Sequence, residues 1–347
     1  MGHVKDPAVS VIIPARNARA QLKYSLPNIL GQTLENIEII FVDDGSTDGT
    51  ALLLEVAERK FPEKVTVIES QVGHGAGGAR NLGLDIARGR YVGFVDSDDL
   101  VSPMMFEKMY NAAREGDYDI VDCGYDCEEQ DLALVHTTDE MCGELNDEKR
   151  SELIVSGGYL WSRIFRRELF DGLRFRENVI LEDADVLTYL FCTAKSIVNV
   201  KEVLYAYRNV EDSASKIVDY RNYVENINEA MRAVYERVFN LGVYPGVKEA
   251  VEYSIVQMYS YGLSMCQKAV LDSWRAGREV PFDVSHLQEA LRETAAATVE
   301  GRYCDNKYVK DKIAELDIFL MELNNENPAA VVEYIKNNSD GVKGIVR

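Results

Sequence analysis

The sequence predicts an α/β fold, a mostly parallel sheet flanked by helices, followed by a C-terminal helical region. Three observations support this prediction. Short apolar runs alternate with segments of helical periodicity over the first hundred residues, and polar loops rich in glycine or carboxylates follow these runs. From about residue 210 onward, only helical periodicity remains. The predicted domains are therefore residues 1–210 and residues 211–347.

The first four strands are predicted from continuous apolar runs, and the helices from apolar residues at helical spacing between them. The strands are expected at 9–14, 37–42, 65–68 and 91–95, and the helices at 19–31, 50–60 and 78–88. Ligands of such sheets bind beyond the carboxyl ends of the strands, and the polar loops of this chain fall there.

The rest of the chain has a less regular pattern. Helices are expected at 103–115, 147–156 and 182–195, a strand at 119–123, and an exposed acidic excursion at 126–147. Later helices are expected at 246–271, 284–298, 307–323 and 328–337, with a preceding helix whose apolar face comprises Tyr223, Ile227, Ala230, Met231, Val234 and Val238. The basic residues Arg163, Arg166 and Arg167 are interpreted as the solvated side of a helix, in preference to a contact with a lipid diphosphate.

Composition and charge exclude several classes of function. The 347 residues include 58 acidic and 38 basic side chains, a net charge of -20, which disfavours nucleic acid as a partner because phosphate contacts require Lys or Arg. The six cysteines lack the spacing of a zinc site and are interpreted as reduced thiols. No apolar stretch of about 18 residues is present, so the sequence predicts no membrane span and a cytoplasmic location.

Two carboxylate-rich loops follow predicted strands. Asp96-Ser97-Asp98-Asp99 offers the oxygen ligands that Mg²⁺ and Mn²⁺ prefer, although aspartates also cap helices. The run from Asp43 to Asp48 could bind a base or ribose, or could form a turn and a helix cap.

The glycine loop at 73–78 matches the G-x-G-x-x-G pattern of dinucleotide-binding folds, but it follows the third strand rather than the first. Arg80, near the next helix start, could hold a diphosphate or pair with a neighbouring aspartate. Glu182 and Asp183 could act chemically, or could simply be favoured at a helix start by the helix dipole.

Taken together, these segments resemble the family 2 glycosyltransferases of the GT-A fold, in particular bacterial members that build surface polysaccharide. The resemblance rests on VSVIIP at 9–14, FVDDGSTDGT at 41–50, ARNLGL at 79–84, FVDSDD at 94–99 and the Glu182-Asp183 pair, which occur in the family's order. It covers roughly residues 8–210 and also includes WSRIFRRELF at 161–170 and YAYR at 205–208.

The resemblance implies roles for individual residues. Asp183 would be the catalytic base, and Asp98 and Asp99 would be candidate ligands of Mg²⁺ or Mn²⁺. The residues implied to bind the nucleotide-sugar are Pro14, Ala15, Arg16, Asn17, Asp43, Asp44, Arg80, Asp96 and Asp98. Two positions depart from the common family pattern: Arg16 stands where many members have an aromatic residue, and Gly73 where many have asparagine.

The implied activity is inverting transfer of a sugar from a nucleotide diphosphate sugar, commonly a UDP-sugar, to a hydroxyl of a saccharide or lipid-linked acceptor. Such acceptors lead us to expect association with the inner face of the membrane, and the helical region leaves a homodimer open. Three alternatives also stay open: a sugar-phosphate nucleotidylyltransferase, an NAD-dependent oxidoreductase that uses the Gly73–Gly78 loop, and a nucleotide-sugar-binding module without activity.

Overall fold

The structure of the chain is a computed structural model that describes residues 5–127, 132–208 and 219–337. It divides into two units, Met1–Ser213 and Ala214–Arg347. The predicted boundary at 210 lies within 209–218, outside the described residues.

In the described part of the first unit, ten strands form one sheet. They are β1 (Val9–Ala15), β2 (Ile37–Asp44), β3 (Val65–Ser70), β4 (Tyr91–Phe94), β5 (Leu100–Val101), β6 (Ile120–Cys127), β7 (Leu132–Leu134), β8 (Gly143–Glu144), β9 (Arg163–Arg166) and β10 (Ser196–Tyr207). Their order is β3-β2-β1-β4-β9-β6-β10-β5, with β7 paired to β6 and β8 paired to β10.

Six α-helices lie between these strands in the residues of the first unit that the structure describes. They are α1 (Arg19–Leu30), α2 (Thr50–Lys60), α3 (Gly75–Ile86), α4 (Met105–Gly116), α5 (Asp147–Ser156) and α6 (Ala184–Thr193). The α/β fold is confirmed, and β1 to β4 pair in parallel, as their apolar runs predict. The core joins residues of β1 and β2 with Leu22 and Ile29 of α1 and Met105 and Met109 of α4.

Beyond β4 the sheet is mixed, because β9 lies antiparallel between β4 and β6. The interpretation of Arg163, Arg166 and Arg167 as the solvated side of a helix is wrong. Arg163 and Arg166 belong to β9, and the Arg163 side chain is fully buried against Asp122. β10 was not predicted from its sequence, since its pairing with β6 is interrupted by register shifts and its alternation of apolar residues is correspondingly weak.

The second unit is helical in its described part. Its helices are α7 (Tyr220–Phe239), α8 (Tyr244–Arg275), α9 (Val284–Thr298), α10 (Lys307–Lys312), α11 (Glu315–Glu326) and α12 (Pro328–Asn337). The predicted apolar face of α7 is buried except at Tyr223, which is partly exposed. The single helix predicted at 307–323 is wrong, because extended backbone at Ile313 and Ala314 separates α10 from α11.

Within the described residues, none of the helices has the length and apolar character that crossing a bilayer requires.

Candidate active site

The carboxyl ends of β1, β2 and β4 lie at one edge of the sheet. β1 is parallel to both neighbours, and Ala15 at its end is opposite Asp43. The predicted ligands at 14–17, 43–44 and 96–99 are the last residues of these strands and the loops that follow them. Parallel pairing therefore brings three separate predicted loops together where ligands of such sheets bind.

The first two of these loops are bonded to each other through Asn17. Its backbone has the left-handed φ of 50°, its side-chain Oδ1 accepts from the Thr47 amide at 2.8 Å, and its own amide donates to Ser46 Oγ at 2.9 Å. These bonds fix the loop after β1 against the loop after β2. Pro14 and Ala15 are the last residues of β1 and precede this junction.

Asp43 and Asp44 are both buried but have different environments. Asp44 accepts from the backbone amides of His74 and Gly75, at 2.7 and 2.9 Å, so it anchors the start of α3. Asp43 Oδ1 has no hydrogen-bond partner among the described residues. A buried carboxylate oxygen without a donor is costly, so this atom is suited to accept from a bound ligand.

Arg16 lies beside Asp44, with 3.9 Å between Arg16 Nη1 and Asp44 Oδ2, and its side chain is well exposed. A Cβ atom added at Gly73 would lie 2.4 Å from Arg16 Nη1. The two positions that depart from the common family pattern are thus in contact, and the missing side chain at 73 leaves the space that the guanidinium occupies.

The glycine loop packs against residues 175–183. This stretch is here called the base segment because it ends in Asp183, the candidate catalytic base. A Cβ atom at Gly77 would lie 2.0 Å from the Arg176 carbonyl oxygen and 3.1 Å from Glu182 Cγ. The Asn178 amide also donates to the His74 carbonyl at 2.8 Å. Two of the pattern glycines, Gly75 and Gly78, also lie against this segment, since Cβ atoms there would be 3.1 Å from Asn178 Cα and 3.2 Å from Glu177 Cγ. The G-x-G-x-x-G match therefore needs no dinucleotide.

Asn81 of α3 holds the start of the base segment. Its side chain donates to the Phe175 carbonyl at 3.0 Å and accepts from the Phe175 amide at 2.9 Å. Both polar ends of one buried amide are therefore used to fix the backbone of a residue 94 positions later in the chain.

We expect Gly77→Ala to destabilise the chain by about 1 to 3 kcal/mol, since the added methyl must displace the backbone of the base segment. Urea unfolding followed by circular dichroism measures this change. Gly242→Ala is a matched control, because a Cβ atom there meets nothing within 4 Å. Equal stability of the two variants would contradict the packing described here.

Arg80 joins the sheet edge to the base segment. Its guanidinium donates to Asp96 Oδ1 at 3.0 Å and to Glu182 Oε1, and it is almost fully buried. Burial alone would lower the pKa of Arg80, but the charges of Glu182, Asp96 and Asp183 raise it. The side chain therefore stays cationic, which is the arrangement expected from the salt-bridge alternative.

The aspartates after β4 crowd one another. Asp99 is buried and accepts from Tyr205 Oη at 2.6 Å and from the Arg208 amide at 2.8 Å. Burial and the charge of Asp96 raise the pKa of Asp99 to about 8, and the same two causes raise that of Asp98. The loop is therefore an electronegative site whose charged state a cation would favour.

Asp183 stands immediately before α6, and its carbonyl oxygen accepts from the Leu187 amide at 2.8 Å. Burial and the charge of Glu182 raise the pKa of Asp183 to about 6, although Arg80 opposes this shift. Leu181, two residues earlier, has a left-handed φ of 58°, which is unusual for a bulky residue.

Sequence reasoning did not assign three residues that this geometry uses: Tyr205 as the partner of Asp99, Asn81 as the clamp on Phe175, and Glu182 as the partner of Arg80. The tyrosine-rich YAYR segment and the Glu-Asp pair were the available signals. Their partners lie about a hundred residues away in the chain, so neither signal indicates a specific contact.

Comparison with known proteins identifies the family. The sequence profile described as Glycosyl transferase family 2 matches residues 10–174. Glycosyltransferase GlyG of Streptococcus pneumoniae serotype 4 is 30% identical over 212 residues, which cover 58% of this chain and 70% of GlyG. The chain belongs to glycosyl transferase family 2.

Family members differ in length outside the shared region. EpsJ of Bacillus subtilis, an uncharacterized glycosyltransferase, is 34% identical over 226 residues, which cover 61% of this chain. The match spans 64% of the length of EpsJ.

A solved structure has a similar fold. The structure of S. aureus TarS 1-349 in complex with UDP-GlcNAc has a TM-score of 0.70 at 19% identity, and the match covers 95% of this chain and 92% of TarS 1-349. That similarity shows the fold, which agrees with the GT-A expectation.

A divalent cation in this family's site would need oxygen ligands. Within 5–127, 132–208 and 219–337, no group of three or more His, Cys, Asp or Glu side chains is arranged to hold one. The carboxylates of Asp96 and Asp98 supply two hard oxygen donors, whereas both oxygens of Asp99 already accept hydrogen bonds. Asp96 and Asp98 would therefore be the protein ligands of such a cation, and its remaining ligands would be other oxygen atoms.

Proposed function

We propose that this chain is a metal-dependent, inverting glycosyltransferase that transfers a sugar from a UDP-sugar to the hydroxyl group of a saccharide or lipid-linked acceptor. The observation that carries the proposal is the Arg80 bridge. The Arg80 guanidinium bonds Asp96 at the edge of the sheet where β1, β2 and β4 end, here called the nucleotide edge. It also bonds Glu182, which stands beside the candidate base Asp183. Arg80 thereby connects the part of the site that binds the nucleotide-sugar with the part that contains the candidate base.

Asp43, Asp44 and Arg16 form the part of the donor site that binds the nucleobase. The free Asp43 Oδ1 accepts a hydrogen bond from a base N–H, as uracil offers. Asp44 fixes the loop at 74–75 by accepting two hydrogen bonds from its backbone amides. The planar guanidinium of Arg16 stacks on the nucleobase. The complex of TarS with UDP-GlcNAc supports a uridine donor, since the folds are similar.

Asp96 and Asp98 hold the ribose and the cation, and Asp99 remains a predicted metal ligand. When bound, Mg²⁺ or Mn²⁺ offsets negative charge on the diphosphate leaving group. Arg80 keeps the Asp96 carboxylate oriented through its 3.0 Å bond. Tyr205 donates to Asp99, which also accepts from the Arg208 amide at the end of β10.

Asp183 removes the proton from the acceptor hydroxyl as the oxygen attacks the anomeric carbon. The new carbon–oxygen bond forms as the bond to the diphosphate breaks, so the anomeric centre is inverted. A pKa of about 6 leaves Asp183 ionised at neutral pH and makes it a stronger base than an ordinary aspartate. A single displacement needs no second, nucleophilic carboxylate.

Nucleotide binding tests the proposal directly. With Mn²⁺ present, UDP at about 100 times its Kd should stabilise the chain by about 2.7 kcal/mol, because it binds the native state. For a chain of 347 residues that corresponds to a rise in Tm of about 3 to 5 °C in a thermal-shift assay.

UDP, GDP and NADH are compared in that assay, each with and without Mn²⁺. Stabilisation by a nucleoside diphosphate that depends on Mn²⁺ is the expected result. No shift with either UDP or GDP in the presence of Mn²⁺ would contradict the transferase proposal, and a shift with NADH alone would favour the oxidoreductase.

A further inference from the structure

An aromatic stack in the first unit ends in an exposed ring. Tyr205 and Trp161 stack with ring centroids 4.2 Å apart, and Trp161 and Tyr159 with centroids 4.5 Å apart and planes within 7°. Tyr205 and Trp161 are only 1% and 6% exposed, whereas Tyr159 is 43% exposed. The two inner rings are therefore core residues, and Tyr159 presents the stack to solvent.

The inner end of the stack is bonded to the aspartate loop after β4. At its inner end, Tyr205 Oη donates to Asp99 Oδ2 at 2.6 Å and accepts from the Asp96 amide at 3.2 Å. At its outer end, burial and then the charge of Asp183 raise the pKa of Tyr159. Asp96 is also bonded to Arg80, which bonds Glu182 next to Asp183, so the stack adjoins the candidate base.

The backbone at Tyr159 is held rigidly from inside the unit. Arg163 Nη1 donates to the Tyr159 carbonyl at 2.9 Å, and Nη2 donates to the Gly157 carbonyl at 3.2 Å. The Tyr159 ring also makes edge contacts with Tyr125 and His136, at 5.6 and 5.9 Å between centroids. A ring fixed in this way loses little conformational freedom when a ligand stacks on it.

We propose that the Tyr159 ring is an acceptor subsite on which the apolar face of a pyranose ring stacks, so that one of the sugar's hydroxyl groups points to Asp183. The inference rests on the proposed function, because it names the acceptor class as a saccharide with a flat ring face. Flat aromatic surfaces with polar groups at the rim suit such a ligand, which has apolar C–H faces and a hydroxyl periphery.

Trp161 provides a direct readout of this subsite. The chain contains two tryptophans, Trp161 and Trp274, so Trp274→Phe leaves Trp161 as the single reporter beneath Tyr159. In the presence of UDP and Mn²⁺, this variant is titrated with the methyl β-glycosides of glucose, galactose and N-acetylglucosamine. A saturable change in Trp161 emission with at least one glycoside is the expected result.

Substitution of Tyr159 in the Trp274→Phe background separates stacking from other contacts. We expect Tyr159→Ala and Tyr159→Leu to weaken glycoside binding about tenfold, since stacking contributes about 1.4 kcal/mol. Tyr159→Phe should retain it, because the ring and not the hydroxyl supplies the surface. Phe239→Ala is the matched control: Phe239 is also an exposed ring stacked on a tyrosine, but in the second unit.

The subsite is overturned if no glycoside changes Trp161 emission, or if Tyr159→Ala and Tyr159→Leu bind as tightly as the parent. The thermal-shift response to UDP and Mn²⁺ is measured on the same samples. Loss of that response in the parent protein would mark failure of the proposed function, whereas an intact response without glycoside binding would mark failure of the subsite alone.

Discussion

Asp183→Asn is expected to abolish sugar transfer while leaving nucleotide binding intact. The amide cannot accept the acceptor's proton, and loss of a positioned general base costs about 10² to 10⁴ in rate. The affinity for UDP and Mn²⁺ should change little, because Asp183 belongs to the base segment and not to the loops at the nucleotide edge. Initial rates of UDP release with acceptor, together with the UDP-dependent thermal shift, measure the two effects separately.

The same residue predicts a pH dependence. Because only the ionised carboxylate is a base, kcat/KM should fall as the pH decreases through about 6, the pKa to which burial and Glu182 raise Asp183. Asp171→Asn, at an exposed aspartate of the same unit, is the matched control and should keep wild-type activity and this profile. Full activity of Asp183→Asn would remove Asp183 from the mechanism.

Arg163→Met should lower the free energy of unfolding more than Gly77→Ala does. Arg163 and Asp122 are both fully buried, and 3.2 Å separates Nη2 from Asp122 Oδ2. Removal of the guanidinium leaves the Asp122 charge buried, and its donors among the described residues are then Thr137, Ser162 and a backbone amide. Breaking a buried pair in this way costs about 3 to 5 kcal/mol, which chemical denaturation measures as a free energy of unfolding.

A double variant separates the unpaired charge from lost packing. Arg163→Met combined with Asp122→Asn should recover part of the stability, since no charge then remains without a partner. Arg59→Met, which removes an exposed helical pair with Glu55, should change the free energy of unfolding by less than about 0.5 kcal/mol. If Arg163→Met were as mild as Arg59→Met, the buried pair would not matter for stability.

Much of the nucleotide edge could be predicted before the fold was seen. Apolar runs identify β1 to β4, and the turn residues after them mark where each strand ends. Parallel pairing then places Asp43 and the loop at 96–99 at one edge, because all four strands run in the same direction. These inferences need only local patterns and one topological rule.

The sheet beyond β4 could not be predicted in the same way. Three arginines near one another indicated a solvated surface, yet Arg163 is buried because Asp122 of the neighbouring strand supplies the opposite charge. The acidic residue of that pair, Asp122, lies 41 positions earlier in the chain. A sequence pattern records that a charge is present, but not whether a distant partner compensates for it.

The sequence by itself therefore determined the family, the positions of the first four strands in the chain and the loops that carry the candidate nucleotide ligands. Only the tertiary structure decided that Arg80 joins Asp96 to Glu182, that the glycine loop supports the base segment, and that Tyr159 is the exposed end of a buried aromatic stack. The physical reason is the range of the interactions. Strand and turn preferences act between neighbours in the chain, whereas these contacts depend on which remote segments the sheet brings together.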